Sequence, residues 1–152
     1  MKNDDLNINE ANKNLEEKFA QERQEWNEKI DNLGKRLRKV FEIPELMTEL
    51  YTERQRAVEY YHYLGSLMIK ISKQWRSSYN ERWDYYTNKT QVRYPNESVK
   101  NNRILVDLAD FAERKEMIEN HMKFIDKSIG TIDNIIYAVP KRVEIEQISR
   151  GK

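Results

Sequence analysis

The chain has 152 residues, of which 38% are apolar and 35% charged, with four glycines and three prolines. This composition is typical of long helices or coiled coils, and the thin core that one copy could form favours self-association. The chain contains no cysteine, which excludes disulfides, thiolate metal sites and a cysteine nucleophile. Its net charge is only +1, but the positive and negative charges are segregated along the sequence.

The first residues of the chain lack the apolar core of a secretory signal. No apolar run approaches the roughly 18 residues that a membrane-spanning helix needs. We therefore expect a cytoplasmic protein.

Residues 1–35 are predicted to form a flexible tail followed by a solvated amphipathic helix. Asn, Asp, Lys and Glu dominate up to about residue 14, as is typical of a mobile segment. Apolar residues then recur at helical spacing as far as Phe41, and Glu22 and Gly34 dilute the pattern. Such a helix needs a partner surface, in the same chain or in another. Residues 36–152 are predicted to form one helical domain.

A long helix is predicted over about residues 45–86. Ile43 and Pro44 mark a break before it, because the residue preceding a proline is disfavoured in the α conformation. Pro44 suits the first turn of a new helix. Apolar residues then recur at the helical period as far as Trp83, and the intervening lysines Lys70 and Lys73 are expected to be solvated.

The stretch 70–94 concentrates positive charge and aromatic rings. It holds six Lys or Arg against two acids, together with two of the three tryptophans and four of the nine tyrosines. This mixture suits single-stranded nucleic acid, since cations attract phosphates and unstacked bases stack on flat rings. The alternative is a solvated helix face from which aromatic side chains project. Helical periodicity favours protein packing for Trp75 and Tyr79. Arg82 falls inside the apolar arc, so either the helix has left the core by then or a cation is presented in a sheltered aromatic setting. Both alternatives make Arg82 a better candidate for a ligand contact than Lys70.

Residues 87–98 are predicted to form a basic loop, because Asn, Thr, Ser and Pro are frequent there. The loop carries Lys89, Arg93 and Tyr94. A basic loop with a tyrosine that follows a basic, aromatic helix end is suited to tracking a nucleic-acid backbone.

Two further helices are predicted over about residues 99–108 and 110–139, with Pro140 ending the second helix and a tail over 140–152. Apolar residues of the second helix alternate in steps of four and three, which is the heptad pattern of a coiled coil. Such an isoleucine-rich stripe favours oligomers larger than dimers when the strands are parallel, but it could also pack on the long helix of its own chain, and we expect both contacts. The stripe comprises Ile118, Met122, Ile125, Ile129, Ile132, Ile136 and Val139.

No catalytic motif is present in the sequence. His62 and His121 lie far apart without metal-ligand spacing, and we expect them to be partly buried or surface residues. The sequence contains no phosphate-binding loop, nucleophile elbow or zinc-protease motif. We therefore predict that the protein is not an enzyme and uses no metal or other cofactor.

The sequence at the end of the predicted long helix, and the order of the elements after it, resemble those of a known family. Asp84, Tyr85, Tyr86 and Thr87 close a cationic, aromatic helix and are followed by a polar loop, a heptad helix and an ending at Gly151 and Lys152. This order, from about Arg36 onward, resembles the UvsY-like recombination mediators of T-even-type bacteriophages. The resemblance implies an all-α fold of long helices packed as a hairpin or bundle with coiled-coil character, assembled into a ring-like, hexamer-like homo-oligomer.

The resemblance also implies a function in DNA recombination, repair and replication. Members of that family bind single-stranded DNA and help to load a RecA-like recombinase onto DNA coated by single-strand binding protein, without hydrolysing ATP, in the cytoplasm of the infected bacterial host. The family motif has a Lys, an Arg two positions later, and a hydrophobic residue before Asp-Tyr-Tyr. Here these positions read Asn80, Arg82 and Trp83, so Arg82 is carried over and Asn80 departs from the motif. The expected single-stranded DNA contacts are Arg82, Trp83, Tyr85, Tyr86, Lys89, Arg93 and Arg76.

Two functional hypotheses follow from the sequence. The first is a non-enzymatic recombination mediator whose several basic patches bind one strand. The second is a structural or adaptor coiled-coil oligomer whose partner is a protein, with residues 70–93 as a solvated face. The role of the N-terminal region, residues 1–35, lies outside the resemblance.

Overall fold

The computed structural model describes residues 2–91 and 93–151, with side chains from residue 8 onward. Four α-helices make up most of the chain: α1 (Lys2–Lys35), α2 (Ile43–Asp84), α3 (Glu97–Asp107) and α4 (Ala109–Arg150). Two short 3-10 turns, Arg36–Arg38 and Val40–Glu42, join α1 to α2, and a π-helical turn, Tyr85–Lys89, extends α2. The described residues contain no β-strand, which confirms the predicted all-α class of long helices.

The chain divides into two compact units. The first comprises Met1–Glu17 and Leu64–Asn120, and the second comprises Lys18–Tyr63 and His121–Lys152. This division differs from the predicted boundary at residue 35, because α1 contributes residues to both units. The buried apolar residues of the first unit are Leu64, Ile71, Ile104, Leu108 and Ile118.

The core of the second unit is formed by α1, α2 and α4. Half-buried residues of α1 such as Trp26 and Ile30 pack against it, so the helix predicted to need a partner surface finds one within its own chain. Full burial of an aliphatic side chain, such as Leu46 or Leu50 in this core, contributes roughly 1.5–3 kcal/mol. The core cluster consists of Leu33, Ile43, Leu46, Leu50, Ile132, Ile135 and Val139.

Helix α1 begins at Lys2, within the segment up to about residue 14 that the sequence predicts as a flexible tail. Asn12 shows why a polar segment is helical here. Its side chain is buried in the first unit, donates to the backbone oxygen of Asp110 at 2.9 Å and accepts from Arg114 at 3.4 Å. Composition alone does not reveal these partners, because they lie about a hundred residues away in the chain.

Helix α4 continues through Pro140 to Arg150, which corrects the predicted end at Pro140 and the tail over 140–152. A proline inside a helix removes one backbone hydrogen bond and costs about 3 kcal/mol. Val139 is buried in the core of the second unit, and Val143 packs against that core, so packing on both sides of Pro140 offsets the cost.

The heptad stripe of α4 is partly used inside one chain. Ile118 is buried in the first unit, and Ile125, Ile132 and Val139 are buried in the second. Met122, Ile129 and Ile136 are half-buried. The stripe therefore alternates between core positions and positions that retain accessible surface.

A buried histidine joins α1, α2 and α4 in the second unit. His121 is fully buried, which corrects the expectation of a partly buried or surface residue, whereas His62 is exposed. The His121 ring stacks on Phe19 at 4.0 Å between centroids, and its Nε2 lies 2.8 Å from Glu22, whose carboxylate also accepts from the Tyr60 hydroxyl. Glu22, which dilutes the apolar pattern of α1, is thus paired with two polar groups of the same unit.

None of the described helices combines the length and the apolar character that a membrane-spanning segment needs.

Candidate nucleic-acid interface

A column of stacked rings runs along α2 in the first unit. Trp75, Tyr79 and Trp83 are four residues apart, and their ring centroids lie 5.2 and 6.2 Å apart in turn. All three are half-buried, and Tyr79 donates to Asn101 of α3 at 2.6 Å. The column therefore fixes the end of α2 against α3, while Lys70 and Lys73 are exposed, as the helical period predicts.

The π-helical turn begins where the column ends. Thr90 donates its backbone N–H to the carbonyl of Tyr85 at 3.1 Å, which closes the wide turn. Asp84 accepts from Asn88 at 2.7 Å and pairs with Lys89 at 3.2 Å, and these hydrogen bonds lower the pKa of Asp84. π-helical turns are rare and occur frequently at functional sites.

Asp107 at the end of α3 contacts several side chains of a group that we call the charged corner, which comprises Arg82, Tyr86, Lys89, Arg103 and Asp107. It accepts a short hydrogen bond from the Tyr86 hydroxyl and lies 3.6 Å from Arg103 and 3.9 Å from Arg82. Burial, followed by the hydrogen bond to Asp107, raises the pKa of Tyr86. Sequence reasoning missed Asp107, although its i, i+4 spacing from Arg103 is a weak local signal.

Arg82 lies in a sheltered position, which is one of the two alternatives that its place in the apolar arc left open. Its side chain is 17% exposed, and that of Asp107 is 13% exposed. Arg82 lines a cavity of about 570 Å³ in the first unit together with Tyr85, Lys89 and Asp84. Ile8 of α1 lines the same cavity, so the N-terminal helix contributes to this corner.

Trp83 faces a lysine that sequence reasoning missed. The ammonium of Lys100 on α3 lies 3.7 Å from the centroid of the Trp83 ring and donates to the Thr87 hydroxyl at 3.0 Å. Since Tyr79 also stacks on Trp83, the ring is engaged by two neighbours within the protein. The predicted stacking of DNA bases on Trp83 therefore competes with contacts that the ring already makes.

A second cavity of about 610 Å³ lies beside the π-helical turn. Arg93, Tyr94 and Lys100 line it, and Tyr94 meets Tyr86 edge-on at 5.4 Å. The structure thus brings most of the predicted contact residues to one corner of the first unit. Arg76 is exposed on α2 and is not among the residues that line either cavity.

Among the described residues, no cluster of three or more His, Cys, Asp or Glu could hold a metal ion.

An all-helical chain that gathers cations and aromatic rings at one corner has the features of a helical protein that binds single-stranded nucleic acid. A family model described as "Recombination, repair and ssDNA binding protein UvsY" matches residues 50–152. The chain belongs to this family of recombination and repair proteins that bind single-stranded DNA, which confirms the predicted resemblance. Comparisons with curated proteins and with solved structures found no match.

The family match includes the whole charged corner, from Arg82 to Asp107. It begins at residue 50, later than the predicted start near Arg36. Helix α1 lies outside the match.

Proposed function

We propose that the protein is a non-enzymatic mediator that helps to load a RecA-like recombinase onto single-stranded DNA coated by single-strand binding protein. Family membership gives the general function in recombination, repair and single-stranded DNA binding. The observation that carries the proposal is the convergence of Arg82, Tyr86 and Arg103 on Asp107, beside a π-helical turn that ends at Lys89.

The corner supplies cations of two kinds. Arg82 is held by a nearly buried carboxylate, so its guanidinium is positioned before any ligand arrives. Lys89 is exposed, and its ammonium pairs with Asp84 at the surface, where ion pairs contribute about 0–1 kcal/mol. A phosphate can displace Asp84 from Lys89 at little cost, so Lys89 acts as an adaptable contact and Arg82 as a fixed one.

Assembly of several copies would convert modest contacts into tight binding. Each protomer of a ring-like homo-oligomer offers one corner to the same flexible strand, and linked sites raise affinity through effective concentration. The half-buried positions Met122, Ile129 and Ile136 of the heptad stripe, with the 75% exposed Tyr137 beside them, are the candidate contacts between copies.

The proposed mediator function is tested by a recombinase-loading assay. Single-stranded DNA is first saturated with the single-strand binding protein of a T-even-type bacteriophage, and the RecA-like recombinase of that phage is then added with ATP. With the protein present, DNA-dependent ATP hydrolysis by the recombinase should begin after a shorter delay than in its absence. An equal delay with and without the protein, under conditions where it binds the DNA, would refute mediation and leave DNA binding intact.

A further inference from the structure

The cavity of about 610 Å³ beside the π-helical turn is an open groove with a mainly polar lining. Its volume lies within the roughly 300–1,000 Å³ of sites that bind small ligands. Residues of the turn, of the following segment and of α3 line it, among them Thr87, Arg93, Tyr94 and Lys100. Glu97 is the one acid among the described lining residues.

Lys100 is positioned by neutral groups. Its ammonium lies over the Trp83 ring at 3.7 Å and donates to the Thr87 hydroxyl at 3.0 Å. Neither partner neutralises its charge, in contrast to Lys89, which pairs with the Asp84 carboxylate at 3.2 Å. Lys100 therefore offers at this cavity a positioned positive charge that neither Trp83 nor Thr87 neutralises, and the exposed Arg93 adds a second positive charge.

Tyr94 supplies an aromatic surface beside these cations. Its ring is half-buried and meets Tyr86 at an interplanar angle of 87°. Tyr86 is in turn fixed by its hydrogen bond to Asp107. Tyr94 also lines the cavity, so part of this side chain is accessible to a planar group there.

We propose that this cavity binds one unstacked nucleotide of single-stranded DNA, with Lys100 and Arg93 at a phosphate and Tyr94 against the base. The proposal rests on the single-stranded DNA binding of the proposed mediator and adds Lys100 to its DNA contacts. Base stacking on an aromatic side chain contributes about 1–3 kcal/mol per base, and a duplex cannot use it because its bases are already stacked. The cavity would thus favour single strands over duplex DNA.

The base contact is tested by combining protein variants with altered DNA. Binding of the full-length protein to a fluorescein-labelled oligonucleotide is measured by anisotropy, using an intact strand and a strand of abasic sites. Tyr94→Ala should weaken binding of the intact strand about tenfold and leave the abasic strand unchanged, while Tyr94→Phe binds both like the unaltered protein. An equal loss on both strands would refute the base contact.

The phosphate contact is tested on the same two strands. Lys100→Gln should weaken both equally and reduce the salt dependence by about 0.7 in the slope of log K against log salt, whereas Lys100→Arg restores binding. Lys115→Gln, which removes the charge of an exposed lysine on α4, is the matched control and should bind unchanged. Glu97→Gln should strengthen binding, because it removes the one carboxylate among the described lining residues.

The binding results of these variants distinguish failure of the nucleotide site from failure of the proposed function. If Arg82→Ala weakens binding while Tyr94→Ala and Lys100→Gln bind normally, the nucleotide site is refuted and DNA binding elsewhere in the corner stands. If the unaltered protein does not bind the labelled strand, the proposed function itself fails. If Tyr94→Ala does not fold, Tyr94→Leu and Glu97→Gln decide, and unchanged affinity in both refutes the site.

Discussion

The ammonium of Lys100 lies 3.7 Å from the centre of the Trp83 ring, so α3 places a cation on the last tryptophan of α2. Desolvated cation–π pairs are worth up to about 2 kcal/mol. The pair ties the aromatic column of α2 to the charged corner, and it changes the function expected of Trp83. With Tyr79 stacked on the ring as well, Trp83 is placed to position Lys100 rather than to stack on a base.

The Trp83 substitution distinguishes these two functions. Trp83→Leu should lower affinity for intact and abasic strands by the same factor, because it releases Lys100 and removes no base contact. Trp83→Phe should lose less, since a phenyl ring keeps part of the cation–π attraction. Anisotropy on both strands checks this, with Trp26→Phe, at a tryptophan of the second unit, as the control. A loss confined to the intact strand would show that Trp83 stacks on bases directly.

Lys89 should act on DNA binding without acting on stability. Its ion pair with Asp84 is exposed, so Lys89→Ala should change the free energy of unfolding by less than about 0.5 kcal/mol. Affinity should fall several-fold, and the salt slope should decrease by about 0.7 for the lost phosphate contact. Lys35→Ala is the matched control, because Lys35 also pairs with an exposed aspartate, Asp31, at 2.7 Å. Equal affinities of the two variants would remove Lys89 from the interface.

The buried His121 should make stability depend on pH. Burial lowers the pKa of His121, the nearby charges of Arg23 and Lys18 also lower it, and the hydrogen bond to Glu22 only partly opposes them. Its Nε2–H can donate to Glu22, while the buried Nδ1 has no hydrogen-bond partner in the described part of the chain and so no acceptor for a second proton.

The sign of this dependence follows from proton binding. An unfolded chain protonates His121 as the pH falls through about 6.5, whereas the folded chain resists protonation until a lower pH. The free energy of unfolding should therefore be highest above about pH 6.5 and decline below it. Urea unfolding at several pH values checks this, and His121→Gln should flatten the decline while His62→Gln, at an exposed position, should not. An equally steep decline in His121→Gln would assign the effect to other groups.

The heptad stripe of α4 should give different results at its buried and exposed positions. Ile132 is fully buried within one chain, so Ile132→Glu should destabilise folding by about 4 kcal/mol or more. Tyr137 is 75% exposed on the same helix, so Tyr137→Glu should leave stability intact and lower the mass measured by light scattering. Tyr51→Glu, at a 56% exposed tyrosine of α2, is the control. An unchanged mass in Tyr137→Glu would place this side of α4 outside any contact between copies.

Sequence patterns predicted local features well and distant pairings poorly. Helical periodicity located α2 and placed Arg82 on the apolar arc, because both depend on residues a few positions apart. The partners Asp107 and Lys100 could not be predicted, since no periodic signal links them to Arg82 and Trp83 across the intervening segment.

Two further differences have similar causes. The rule that proline ends helices gave a wrong boundary at Pro140, where core packing outweighs the local cost. Glu22 interrupts the apolar pattern of α1. Its partner, His121, lies 99 residues away in the chain, so local sequence patterns could not predict the pair.

Both proposals require that the protein binds single-stranded DNA more tightly than duplex DNA. A titration of the two forms measures this preference. A labelled oligonucleotide is prepared once as a single strand and once as a duplex of the same sequence. Each form is titrated with the full-length protein at several salt concentrations. We expect the protein to bind the single strand more tightly, with log K falling linearly against log salt. Equal affinity for the two forms, or an affinity independent of salt, would contradict it.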